Sequence, residues 1–320
     1  MSRRSLSVGD LFESARSGDR GALARLLSLI ERGGIPAREV SRLSYPLSGR
    51  GYTVGLTGAP GAGKSTLTSS ILRHLRAQKL EVAVLAVDPS SPFTGGAILG
   101  DRVRMQEHAT DPGVFIRSMA SRGHLGGLSL ATPEAARLLD AVGRHLILIE
   151  TVGVGQVEVE IAGKADTTVV VVNPGWGDSV QANKAGLMEI ADVFVINKAD
   201  RSGVDDTRRD LEQMLELGDL PGDAWRPPIL PVVATDHRGF DALWDSVLEH
   251  RAFIDTNGEL ARRREFRLQE ELREVVARRL EQRAREVTGG DRWTELQSQV
   301  AQRAIDPWTA ADEMLKAIDS

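Results

Sequence analysis

Seven short apolar runs rich in β-branched residues punctuate the middle of the chain, at 52–57, 82–87, 114–118, 146–150, 168–173, 193–197 and 230–234. Each is nearly continuous in hydrophobic character, as in Val-Ala-Val-Leu-Ala-Val at 82–87, and helical segments lie between them. Strands that are apolar on both sides and alternate with helices predict a parallel sheet covered on both faces. Before it, residues 7–45 carry Leu11, Phe12, Ala15, Leu23, Leu26, Leu27 and Ile30 at helical spacing, with Gly33-Gly34 and Pro36 as stop signals. Two or three amphipathic helices are expected there.

After about residue 250 the strand pattern ceases. Residues 259–287 hold nine arginines and seven glutamates, with Leu268, Leu272, Val275, Val276, Leu280, Ala284 and Val287 at three- and four-residue steps. This predicts one helix of about 43 Å, whose mixed charges form a solvated face and whose apolar stripe needs a partner. Gly289-Gly290 ends it, and two short helices split at Pro307 should follow. The expected organisation is an N-terminal helical segment (1–48), an α/β nucleotide domain (49–252) and a C-terminal helical arm (253–320).

Composition narrows the function. The 320 residues include 41% hydrophobic ones, enough for a substantial core, and a net charge of −5 leaves no basic field for a nucleic-acid backbone. The absence of cysteine rules out disulfides, thiolate metal sites and a cysteine nucleophile. No apolar run approaches the 18 or so residues of a membrane span, and no apolar stretch follows Arg3-Arg4, so a cytoplasmic chain without a membrane partner is expected. Arginine dominates the cations. The six lysines, at 64, 79, 164, 184, 198 and 316, therefore point to sites that need a compact ammonium.

Two of them lie in nucleotide motifs. Gly58-Ala59-Pro60-Gly61-Ala62-Gly63-Lys64-Ser65, followed by Thr66, fits the P-loop pattern between a strand and a helix over about 64–77. Its glycines let backbone N–H groups surround a phosphate, Lys64 reaches the β/γ oxygens, and the Ser65 hydroxyl ligates Mg²⁺. Glu150-Thr151-Val152-Gly153 closes a strand, placing a carboxylate for Mg²⁺ and the Gly153 amide for the γ-phosphate. Asn197-Lys198-Ala199-Asp200 fits the guanine-reading pattern N-K-x-D. Asp200 accepts from guanine N1–H and the 2-amino group, whereas adenine would leave a carboxylate repelled. Ala234-Thr235 is the expected place for a backbone amide to meet guanine O6.

Asp88 and Asp101 are further candidates for Mg²⁺ or water positioning, on a Gly- and Pro-rich stretch that continues to Arg102 and Arg104. After strand 168–173 come Trp176, Asp178, Gln181 and Lys184, and Lys184 is the candidate cation that a partner could bring to the phosphate.

Taken in order, Gly-Ala-Pro-Gly-Ala-Gly-Lys-Ser, Val-Asp-Pro-Ser-Ser-Pro (87–92), Glu-Thr-Val-Gly-Val-Gly-Gln (150–156), Gly-Asp-Ser-Val-Gln-Ala-Asn-Lys-Ala-Gly (177–186) and Asn-Lys-Ala-Asp resemble the MeaB/ArgK family over roughly residues 10 to 290. The resemblance implies a dimeric P-loop GTPase that guards an adenosylcobalamin-dependent acyl-CoA mutase of the methylmalonyl-CoA type. Such a protein gates cofactor loading and protects or exchanges damaged cofactor, with Mg²⁺ and GTP/GDP as ligands. Two alternatives share the fold. A GTPase metallochaperone calls for a Cys/His-rich site that the sequence lacks, and an ATP-dependent transport-protein kinase is opposed by Asn197–Asp200.

Overall fold

A computed structural model describes residues 6–88, 106–108, 110–120, 127–151, 164–175, 189–217, 222–287 and 291–319. The chain divides into two compact units, residues 1–260 and 261–320.

The first unit is built on seven parallel strands: β1 (Tyr52–Gly58), β2 (Val82–Asp88), β3 (Val114–Ala120), β4 (Leu146–Thr151), β5 (Thr167–Val172), β6 (Val193–Asn197) and β7 (Ile229–Val232). Their spatial order is β3-β2-β4-β1-β5-β6-β7. The register pairs Leu56 with Glu150 on one side of β1, and Gly58 with Val171 on the other. β1 thus lies between the acidic end of β4 and the strand that precedes β6.

Alternate residues supply the two faces. Val54, Leu56, Val84, Leu148, Val169, Val171, Val193 and Val195 pack with α4 (Lys64–Ala77) and α7 (Phe240–Thr256). On the other face, Ala83, Leu85, Val87, Ile147 and Ile149 pack with α1 (Val8–Arg16), α2 (Arg20–Arg32), α3 (Gly34–Ser44) and α5 (Gly127–Ala141). Further along that face, Val170, Val172, Phe194 and Ile196 meet Leu211 of α6 (Val204–Leu217). Burial on both sides explains why these strands read as continuous apolar runs.

Three N-terminal helices form. Gly33 ends α2, but helix resumes at once, because Pro36 falls in the first turn of α3, where its missing N–H leaves no bond unmade. Arg117 of β3 fixes α2 with a two-pronged bond to Glu31, at 2.8 and 2.7 Å, in a largely buried setting. The last strand is shorter than the pattern 230–234 suggests: after Val232 the backbone tightens into a single turn at Ala234–Asp236.

In the second part of the chain, α8 spans Glu259–Val287, followed by α9 (Asp291–Ala301) and α10 (Pro307–Asp319). Asp306 caps α10 by accepting from the amides of Trp308 and Thr309. Phe266, Leu268, Leu272, Val276 and Leu280 of α8 are exposed. No described helix is long and apolar enough to cross a membrane.

Candidate nucleotide site

The carboxyl ends of β1, β4, β6 and β7 bring the sequence motifs to one edge of the sheet, where open α/β sheets bind ligands. Gly58 ends β1 at φ +135°, and a Cβ there would lie 2.0 Å from the carbonyl oxygen of Val171. Only glycine lets the chain leave the strand so close to β5. The loop then runs through Ala59, exposed Pro60 and Gly61, turns on a bond from the Ala62 amide to the Ala59 carbonyl (3.2 Å), and enters α4. Gly63, at φ +88°, precedes that helix without a side-chain cap. The loop thus delivers the chain to a helix N-terminus, whose amides and dipole favour an anion.

Lys64 and Ser65 open α4 and are both buried, with Thr66 half-buried beside them. The Lys64 ammonium donates to the carbonyls of Gly58 (2.8 Å) and Ala59 (3.2 Å), so it is held under the loop. Glu150, at the end of β4, is completely buried, and its neighbour Thr151 donates to the Leu56 carbonyl at 3.3 Å. Asp88 is the last residue of β2, the strand beside β4.

On the other side of β1, Asn197 joins two loops. Its carboxamide donates to the Ala62 carbonyl at 2.7 Å and accepts from the Ala234 amide at 3.2 Å, with the residue almost wholly buried. A Cβ on Gly63 would come within 2.6 Å of this amide, so the glycine and the asparagine require each other. Lys198 takes the left-handed conformation, φ +60°, and its ammonium donates to the Gly61 carbonyl at 2.6 Å. That backbone geometry is strained for a residue with a side chain, and such strain collects at functional sites. Asp200 and Thr235 are exposed beside this framework, and Ala234 is buried.

Asp101, Gly153 and Lys184 lie outside the described residues, as do Arg102, Arg104, Trp176, Asp178 and Gln181. Ser70 of α4 also belongs to this framework, its hydroxyl donating to the Ala234 carbonyl at 2.8 Å. No motif marks it; only the fold brings it to a loop 164 residues away.

A phosphate loop, a buried carboxylate on the adjoining strand and an N-K-x-D turn tied to that loop define a P-loop guanine-nucleotide protein. Residues 23–289 match the MeaB family, described as methylmalonyl Co-A mutase-associated GTPase MeaB. The chain is similar to a putative GTPase of Pyrococcus abyssi, 50% identical over 316 residues and 97% of each chain. It is also similar to the GTPase ArgK of Escherichia coli, 38% identical over 83% of each chain. The mitochondrial methylmalonic aciduria type A homolog of mouse is 33% identical, over 98% of this chain and 80% of that protein. Among solved structures, an LAO/AO transport system kinase superposes with a TM-score of 0.72 at 26% identity, covering 98% of both chains. The chain belongs to the MeaB family of P-loop GTPases.

Proposed function

We propose that this GTPase is a chaperone of an adenosylcobalamin-dependent acyl-CoA mutase of the methylmalonyl-CoA type, gating cofactor loading and protecting or reactivating the enzyme. The observation that carries the reading is the family match across residues 23–289, whose description ties the family to methylmalonyl-CoA mutase. The mouse relative, named for methylmalonic aciduria, supports it.

In this reading the backbone of residues 58–63, with Lys64, Ser65 and Thr66, binds the phosphates. Lys198 covers the base and Asp200 reads its N1–H and 2-amino group. Because the Ala234 amide is already engaged by Asn197, the next amide, that of Thr235, meets guanine O6.

The donors fit Mg²⁺. Ser65 offers a hydroxyl and Glu150 a completely buried carboxylate next to the phosphate-loop strand, and both are hard oxygen ligands of the kind this ion takes. Asp88 and Asp101 complete the proposed set, directly or through water. Bound there, the ion would neutralise charge on the β/γ-phosphates. Gly153 contacts the γ-phosphate, and Lys184 is the cation that a docked mutase brings toward it. The exposed apolar residues of α8 form the homodimer contact.

Transport-protein kinase activity is the second reading, supported by the name of the solved neighbour. Asn197–Asp200 opposes it, since the turn is built for guanine. A pull-down with purified methylmalonyl-CoA mutase tests the proposal. Capture that depends on bound GDP or a GTP analogue is expected, and absence of capture in every nucleotide state would contradict it.

A further inference from the structure

The peptide unit between Ala234 and Thr235 is planar, with its carbonyl and its N–H pointing in opposite directions. The carbonyl, on buried Ala234, accepts a 2.8 Å hydrogen bond from the Ser70 hydroxyl. Whatever fixes that carbonyl therefore also fixes where the Thr235 N–H points: to the side away from α4. The preceding peptide unit is fixed separately, because the Ala234 N–H donates to Asn197. Two consecutive peptide planes of this turn are thus oriented by side chains from two different elements, one from α4 and one from the end of β6.

The rest of the same helix face holds its surroundings in place. Ser69 donates to Glu107 at 2.7 Å, and one guanidinium nitrogen of Arg73 donates to both carboxylate oxygens of Glu107, at 2.9 and 2.8 Å. Arg73 also contacts the ring of His237, which closes the Ala234–Asp236 turn in the left-handed conformation. Ser70 and Arg73 therefore grip the turn at its start and at its end. A carbonyl that accepts a hydrogen bond also makes the N–H of its own peptide a better donor.

We propose that Ser70 is a specificity-positioning residue: by holding the Ala234 carbonyl it aims the Thr235 amide at the purine 6-position, while Asp200 reads the 2-amino group independently. The inference rests on the guanine site described above and assigns the positioning of the amide that reads the 6-position to a residue outside every nucleotide motif.

The test compares three ligands by calorimetry on the full chain: GDP, 6-thio-GDP, which replaces the oxygen acceptor by a weak sulfur one, and IDP, which lacks only the 2-amino group. In Ser70→Ala the preference for GDP over 6-thio-GDP should fall about three- to tenfold, the worth of one hydrogen bond. The preference for GDP over IDP should stay within about twofold of the native value. Alanine suits a helix interior better than serine, and Arg73→Ala gives a second, exposed variant expected to lower the same ratio by about twofold. An unchanged 6-thio ratio in both variants overturns the proposal. So does an equal loss for all three ligands, which a merely structural serine would produce. A native protein that prefers GDP over neither analogue contradicts the guanine site itself.

Discussion

The carboxamide of Asn197 donates to the carbonyl of Ala62 at 2.7 Å, across 135 positions of sequence. The P-loop and the N-K-x-D turn are therefore one hydrogen-bonded assembly, not two motifs that happen to share a sheet edge. Burial makes the bond consequential, because a carbonyl left without a donor in a dry setting costs about 1–3 kcal/mol.

Asn197→Ala removes both bonds of that carboxamide. Affinity for GDP is expected to fall at least about tenfold and the nucleotide-free protein to lose about 1–3 kcal/mol, read by calorimetry and denaturant unfolding. Native-like values in both would show that the two loops are held by something else.

Asp200→Asn exchanges a carboxylate acceptor for an amide that can donate to the carbonyl at the xanthine 2-position. Preference should pass from GTP to XTP in competition binding. A variant that still prefers GTP would remove Asp200 from base reading.

How far the fold and the site are legible in the sequence depends on the range of the interactions. The strands are legible because Val169 to Val172 and Val193 to Ile196 are buried on both faces, which leaves unbroken apolar runs in the sequence. Helix α8 is legible from its periodicity, and the phosphate loop from its glycines. Pro36 is ambiguous, since the residue that stops one helix also suits the first turn of the next. The order that puts β4 between β1 and β2 leaves no trace in local pattern. Neither does the bond from Ser70 to Ala234, because a serine in a helix looks the same wherever its hydroxyl points.

Tyr52, on the first position of β1, is buried, and that burial pushes its phenol up from 10.0 to about 12. The folded state holds this proton more tightly than the unfolded chain, so the stabilisation is complete below pH 10.0 and is lost as pH rises toward 12. Phenolate absorbance should show a tyrosine ionising near 12, and Tyr52→Phe should remove that component and flatten alkaline destabilisation. A titration unaffected by the substitution would contradict the assignment.

Exposure of Phe266, Leu272 and Leu280 along α8 leaves an apolar stripe open to water. The full chain is expected to sediment as a dimer, and a chain ending at about Asn257 as a folded monomer that still binds GDP. A monomeric full chain, or a truncated chain that remains dimeric, would exclude the arm as the dimer contact.

In the proposed function, GTP turnover serves a cobalamin mutase. G proteins that lack a cation positioned in cis hydrolyse GTP slowly until a partner supplies or moves one. The direct measurement is GTP hydrolysis by the purified chain with and without methylmalonyl-CoA mutase. Acceleration of at least about tenfold is expected on the scale of such trans activation, with most of it lost in Lys184→Ala while mutase binding persists. A rate that no adenosylcobalamin-dependent acyl-CoA mutase changes would contradict the chaperone function.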